Sequence, residues 1–315
     1  MKPLLLSFLL LLAACGKEKI SLAVFSEIKL PVSEDLSAVW FSDAQHGTVS
    51  GGTAWTSGFL LSTGDGGESW HIDTSLNRKM EHVSFSPGGQ GYACGQDMML
   101  FRPPQASQWQ LLRSDFQWLR CAHFPGEQYG AVVSGEGYHG GQLRVFGPDA
   151  FWKLDTLHEV LGELEAVWFV DPTTIFAVGT GWVIRSADVG SSWERLELTG
   201  DFFTSVHFPD EHTGYICGNS GTISKTTDGG KNWKSIRQGA FAGARNKGFR
   251  ALWFSSPERG WLVGDKGVFW HSNDGGESWQ QVAEAPRDAD YTDVFVLDGK
   301  GWATAKDGRF FLFEE

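Results

Sequence analysis

Apolar residues recur along this chain in short runs that end on Phe, and a glycine six residues later opens the next run. The Phe positions are Phe41, Phe85, Phe124, Phe169, Phe208, Phe254 and Phe295. Six residues beyond them stand Gly47, Gly91, Gly130, Ile175, Gly214, Gly260 and Gly301, with Ile175 the one departure. Inside the runs the period is that of a strand, and no helical period persists over a useful length. Successive Phe residues lie 39 to 46 apart, room for four strands of about five to six residues with their turns. Repetition at this spacing predicts an all-β, seven-bladed β-propeller, each blade burying both faces on its neighbours.

The ends of the repeat array refine that expectation. The last repeat stops at Glu315 before a fourth strand, while "LAVFSEIKL" (Leu22 to Leu30) precedes the first repeat without a partner. That orphan strand is expected to complete the last blade, close the ring and remove an exposed sheet edge. Residues 22–315 then form a single propeller domain.

One string is repeated more closely than the rest. "STGDGGESW" at 62–70 returns as "KTTDGGKNW" at 225–233 and "HSNDGGESW" at 271–279, with a weaker copy, "RSADVGSSW", at 185–193. The shared pattern resembles the Asp box of bacterial-neuraminidase-type repeats. It is matched at Thr63, Asp65, Gly67 and Trp70, at Ser186, Asp188, Gly190 and Trp193, at Thr226, Asp228, Gly230 and Trp233, and at Ser272, Asp274, Gly276 and Trp279. A short Asp side chain can accept N–H groups of its own turn, Gly takes the left-handed backbone, and Trp fills the gap between sheets. Copies on separate blades lie too far apart to converge on one small ligand. The boxes are therefore expected to be architecture, with calcium or sugar binding as the alternative. The second and third repeats keep Trp109 and Trp152 but have lost the acidic turn.

The N-terminus changes the compartment. "MKPLLLSFLLLLAAC" has a basic start, an apolar stretch too short to span a bilayer, and small residues before Cys15, the layout of an export signal. Its "LAAC" resembles the bacterial lipobox. The resemblance implies a signal peptide over 1–14, cleavage before Cys15, lipidation of its thiol, and a polar tether over 15–21. The expected location is the bacterial cell envelope, lipid-anchored at the outer membrane and facing the periplasm or the surface. The remaining Cys94, Cys121 and Cys217 are odd in number, which argues against a disulfide framework. Cys94 and Cys217 stand where other repeats have Val178 or Val263, so they read as small core residues.

Charge and candidate chemistry narrow the function. A net charge of -12 disfavours a nucleic-acid surface, where affinity comes from Lys and Arg on phosphates. Residues preceding the strand-ending Phe run Trp40, Ser84, His123, Trp168, His207, Trp253 and Val294. The two histidines lie on non-adjacent repeats and read as packed side chains, so no metal and no cofactor are expected. Sialidases share the boxes but need an arginine triad and a Tyr–Glu pair. "FRPP" at 101–104 stands at the wrong place for their entry motif, and Arg120 and Arg250 are the only first-strand arginines of use. The loops offer other candidates. Trp55, Tyr138, His139 and Trp182 stand in glycine-rich turns, and Arg237, Arg245, Lys247 and Arg250 bring four basic residues and no acid into one connection, a patch for an anionic or protein partner.

The texture of "DEHTGYICGNSGTISKTTDGGKNW" and "SPERGWLVGDKGVFWHSNDGGESW" resembles the photosystem II stability and assembly-factor propellers. That resemblance implies a non-enzymatic scaffold that docks membrane-protein subunits, partly through arginines. The expected function is a lipid-anchored, monomeric scaffold for a protein or glycan partner, touching the membrane only through its anchor. A sialidase-like glycoside hydrolase and a structural envelope protein are the alternatives.

Overall fold

Phe41 shows why the repeat carries its Phe and Gly together. In the computed structural model the two residues pair across antiparallel strands, Leu36–Phe41 and Gly47–Thr53. A Cβ at Gly47 would lie 2.4 Å from the Phe41 ring, so only glycine lets the ring lie flat on the neighbouring strand. The other face of that ring is taken by Trp302 of the last repeat, stacked at 3.6 Å. Tyr92 stacks on Phe124 at 3.7 Å and Tyr215 on Phe254 at 3.5 Å in the same way. Each aromatic directly follows the glycine of one repeat and covers the Phe of the next, a geometry with large dispersion contact.

The structure describes residues 19–127, 129–135, 140–146, 156–160, 162–198, 200–239 and 248–315. Among them there are strands and turns but no helix. The expected signal residues 1–14, Cys15 and the first part of the expected tether lie outside the described residues, as do Tyr138, His139, Arg245 and Lys247.

The expected count of seven separate blades is corrected: the strands hydrogen-bond into six sheets, a six-bladed propeller. Blade 1 spans residues 36–76, blade 2 spans 80–160, and blades 3, 4 and 5 span 164–195, 203–237 and 249–282. Blade 6 joins residues 291–314 to the N-terminal strand Phe25–Lys29. Blade 2 contains six strands because Gln110–His123 runs on without a break. Its first half pairs with Gly91–Arg102 and its second with Gly130–Gly135. The reason is local: residues 110–123 contain no glycine or proline, the residues that punctuate chains. Repeats two and three therefore share one sheet, which supplies two of the seven inner strands around the axis.

A second correction concerns the last repeat. Its glycine, Gly301, pairs with Val296 rather than Phe295, and Phe295 pairs with Trp302. The intervening turn is one residue shorter than elsewhere, so Phe295, not Val294, holds the position of Trp40 and Trp253.

The N-terminus is used twice. Phe25–Lys29 pairs antiparallel with Arg309–Glu314 and supplies the outer strand of blade 6. Arg309 holds Glu27 through two bonds of 2.8 Å, and Phe25 packs on Phe269, Phe311 and Phe313. Upstream, Lys19–Ile20 pairs in parallel with Gln280–Val282 as a fifth strand on blade 5. The end of the expected tether is thus part of a sheet.

Candidate functional site: the axial channel and its mouth

Every inner strand skips one residue in its pairing at the same place in its repeat. The skipped residues are Ser37, Glu81 and Arg120, Glu165 and Thr204, and Arg250 and Thr292. Such bulges re-aim a side chain, and all seven line the axial cavity, which encloses about 350 Å³. The result is a polar ring with four charges. Thr204 and Thr292 donate to Phe249 O and Leu36 O on the next inner strand. Glu81 pairs with Lys79 at 3.0 Å and accepts Trp118 Nε1 at 2.7 Å. Arg120 lies 3.6 Å from Glu163 and over the Trp118 ring. Arg250 grips Asp265 through Nε and Nη2 at 2.9 and 3.0 Å, a bidentate pair. Burial raises the Glu165 carboxyl, with Arg120 opposing the rise.

One residue deeper the wall becomes small, with Ala38, Ala166, Ser205 and Ala251 among the lining residues. Asp293 occupies that level. Its Oδ2 accepts Val39 N from blade 1 at 3.0 Å and its Oδ1 accepts Val294 N at 2.9 Å. Although Asp293 borders the cavity, the surrounding protein desolvates it and pushes its carboxyl up to about 7, because burial disfavours the charged form.

Aromatic rings close the far end. Trp40 meets Trp253 at 5.8 Å and Phe295 at 4.9 Å, while Trp168 stacks on His123 at 4.1 Å and meets Trp253 at 6.1 Å. His123 Nδ1 accepts Phe169 N–H at 2.9 Å, and His207 stands 3.4 Å from Phe254 N in the same way. Burial drives both imidazoles down to about 3, so they are neutral and packed. Among the described residues no cluster of metal-ligating side chains occurs. Cys94, Cys121 and Cys217 are free and buried, and burial pushes the last two up to about 12.

The mouth of the channel gathers several residues singled out in the sequence. Inner strands begin where the second and third strands of a blade turn: Gly52 N donates to Asp35 O and Thr180 N to Glu163 O. Trp55 and Trp182 therefore stand at the end that holds the charged ring. Trp55 is 50% exposed, has left-handed backbone (φ 60°), and donates its N–H to Gln96 Oε1 at 2.7 Å. A bulky residue there is strained. Its ring meets Trp118 at 5.9 Å and lies under Arg78, which pairs with Asp97 at 3.1 Å. Arg78, Trp55, Trp118 and Arg120 thus form a row from the rim to the channel. Trp182 is covered by Arg195 at 3.9 Å. Arg237 is exposed and rests over Phe249 and Trp270, and Arg250 belongs to the charged ring. The sequence pattern did not single out Glu81, Glu165 or Asp293. The usable signal was a charge at the second position of an inner strand, as in Met80–Glu81 and Leu164–Glu165.

The Asp boxes stand at the opposite end, beside the turns joining first and second strands: Gly66 N donates to Gln45 O. Each closes on itself. In blade 4, Thr226 Oγ1 donates to Asp228 Oδ1 and accepts Gly230 N, Asp228 accepts Asn232 N and Nδ2, and Trp233 Nε1 donates to Gly230 O. Thr63, Asp65, Gly67, Ser69 and Trp70 repeat the set. Ser186, Asp188, Gly190, Ser192 and Trp193 do so again. Ser272, Asp274, Gly276 and Ser278 share the Asp bonds, but Trp279 Nε1 has no partner. The boxes also grip the preceding blade: Gly66 O accepts Trp302 Nε1, and Gly275 O accepts Tyr215 Oη.

The channel does bring carboxylates and arginines together, the feature expected of a hydrolase. Their oxygens are largely engaged, however. Asp293 accepts two backbone N–H groups, Glu81 holds Lys79 and Trp118, and both arginines hold carboxylates of neighbouring loops. Glu165 is hydrogen-bonded to Glu163, whereas a glycosidase needs a matched pair of carboxyls set apart to flank the bond to be cleaved.

A family model for the photosynthesis system II assembly factor YCF48 matches residues 185–298, about a third of the chain. No curated protein matches. Among solved structures, YCF48 bound to D1 peptide is 18% identical with a TM-score of 0.71, covering 95% of this chain and all of that one. YCF48 from Cyanidioschyzon merolae is also 18% identical, with a TM-score of 0.68 over 93% of this chain and 99% of its own. The WD40 β-propeller domain of Doa1 is 12% identical at a TM-score of 0.71, covering 93% of this chain and 96% of its own. At these identities the likeness is one of fold.

Proposed function

We propose that the chain is a non-catalytic assembly scaffold that docks a peptide segment of a protein partner across the mouth of its channel. The observation that carries this reading is Trp55, an exposed aromatic kept in strained backbone beside Trp118 and two arginines, where a glycine would relax the turn. Aromatic and Arg side chains of this kind anchor interfaces. Two findings support it: the family match over residues 185–298, and a relative in fold that binds D1 peptide. The closed Asp boxes serve as architecture in this reading, since their polar atoms are engaged within their own turns.

The reading includes the envelope anchor. Cys15 carries the lipid, and the partner is met at the membrane that holds it. Cys15→Ser is expected to release the protein into the soluble fraction and abolish palmitate labelling; unchanged retention would sink the anchor. Docking is tested by crosslinked capture from native membranes. Trp55→Ala is expected to weaken capture at least about tenfold with unchanged melting, as for an interface anchor. Arg245→Glu with Lys247→Glu is expected to weaken it further and to reduce its salt dependence. Full capture by Trp55→Ala would overturn the mouth as the docking surface, and full capture by the Arg245/Lys247 variant would leave that connection a solvated loop.

A further inference from the structure

Beneath the polar ring lies a chamber walled by small side chains, whose charge is unbalanced. At the ring, Lys79 is paired with Glu81, Arg120 with Glu163, and Arg250 with Asp265, while Glu165 is hydrogen-bonded to Glu163 and burial raises its carboxyl to about 7 against the pull of Arg120. Lys306 sits exposed at the rim. Asp290 lies there too, bonded to Lys266 N. Among the described residues Asp293 is the one carboxyl below the ring, with no cation beside it and two backbone N–H donors. The side chains facing it from the other inner strands are small or neutral: Ala38, Ala166, Ser205, Ala251, the Cys121 thiol and His82, whose imidazole burial holds down at about 4. The floor is independent of the acid. It is built from the rings of Trp40, Trp168, Trp253 and Phe295, and the three tryptophans are only partly buried.

We propose that this chamber binds a compact organic cation, an alkylammonium or guanidinium group, seated on the tryptophan floor with Asp293 as its counter-ion. Tryptophan faces attract such cations through their quadrupole, and a desolvated carboxylate supplies the charge that the floor lacks. A cavity of about 350 Å³ falls in the range of small-ligand sites, with room for a lysine or arginine head group or a quaternary amine. Occupancy links to protons in a defined direction. Burial raises the Asp293 carboxyl to about 7, so below that value a cation must displace the proton. Affinity therefore rises with pH through about 7 and levels off above it. This inference does not depend on docking at the mouth, because free small cations can test it.

The test titrates the full chain with choline, N-acetyl-lysinamide and N-acetyl-argininamide, read by tryptophan fluorescence and calorimetry. The neutral tert-butyl analogue of choline serves as control. Saturable quenching by a cation, absent with the neutral analogue and weaker at low pH, supports the site. Preference for the amides assigns the ligand to a partner side chain, and preference for choline assigns it to a free amine. Asp293→Asn is expected to weaken binding at least about tenfold and to reduce the pH dependence to the part that Glu165 contributes from the ring. Because Asp293 also holds Val39, Ala166→Leu provides a second variant that fills the chamber from another wall and leaves that bond intact; it should abolish binding. Equal binding of the neutral analogue, binding that survives both variants, or no quenching by any cation would overturn the proposal.

Discussion

Blade 4 and blade 2 are written from the same repeat and end differently. Blade 4 stops after four strands, its box turning the chain through the closed set around Asp228 before a short outer strand, Lys234–Arg237. In blade 2 the corresponding turn reads "RPPQASQW", with Pro104 where the Asp would be and Ala106 where the Gly would be. There the chain does not stop: Gln110–His123 continues into the next repeat. Trp109 Nε1 is left without a partner, and Arg102 stacks over Trp109 and Phe85 instead. A sheet in this fold thus ends where local turn chemistry and a breaker residue end it; the apolar pattern alone does not decide.

The strongest challenge to that contrast is blade 6, whose outer edge is closed by a strand from far away in sequence. Deleting residues 22–30 is expected to leave three strands and an unpaired edge at Arg309–Glu314, which is a template for self-association. Size-exclusion chromatography with thermal melting would show it; an unchanged monomer with unchanged melting would refute it. Next in size, Trp233→Ala should cost about 3–5 kcal/mol by opening a cavity against Phe176 and Phe208, measured by denaturant unfolding. Gly230→Ala follows at about 2–4 kcal/mol, since its backbone is left-handed (φ 81°) and a Cβ would lie 2.1 Å from the Phe176 ring. The matched change in blade 2, Ala106→Gly, should cost no more than about 1 kcal/mol. Equal costs at the two sites would remove the distinction between the blades.

Within the box of blade 4 the smallest effect is electrostatic. Asp228→Ala should cost about 1–2 kcal/mol through lost turn hydrogen bonds. Bonds from the Asn232 side chain and backbone hold the Asp228 carboxyl down at about 2. Its folded value lies below its unfolded one, so its contribution is present above about pH 4 and is lost as pH falls through about 2. Acid melting should show this loss in the parent chain and a flatter limb in Asp228→Asn.

Much of the architecture was legible because its code is local. Phe, Gly and the following aromatic sit within seven residues of one another, and the box within nine, so one chain displays both. The blade count was misread because sequence spacing records repeats, whereas sheets are divided by breakers, and residues 110–123 have none. The frame of the last repeat slipped because a turn shorter by one residue moves Phe295 into a tryptophan position without altering composition. The charged ring was hidden for a related reason: a bulge interrupts the alternation that marks a strand's inner face, so Glu81 and Glu165 look like ordinary outward residues.

The strand Phe25–Lys29 also sets an order of events. It is made well before its partner Arg309–Glu314, with Glu27 and Arg309 separated by 282 positions. No earlier segment can substitute, because the edge it covers does not yet exist. The chain must therefore accumulate its inner hairpins while the circle stays open, and the closing step carries the entropy of the longest loop in the molecule. Arrival of Arg309–Glu314, rather than formation of any single blade, becomes the event that commits the propeller to its final shape.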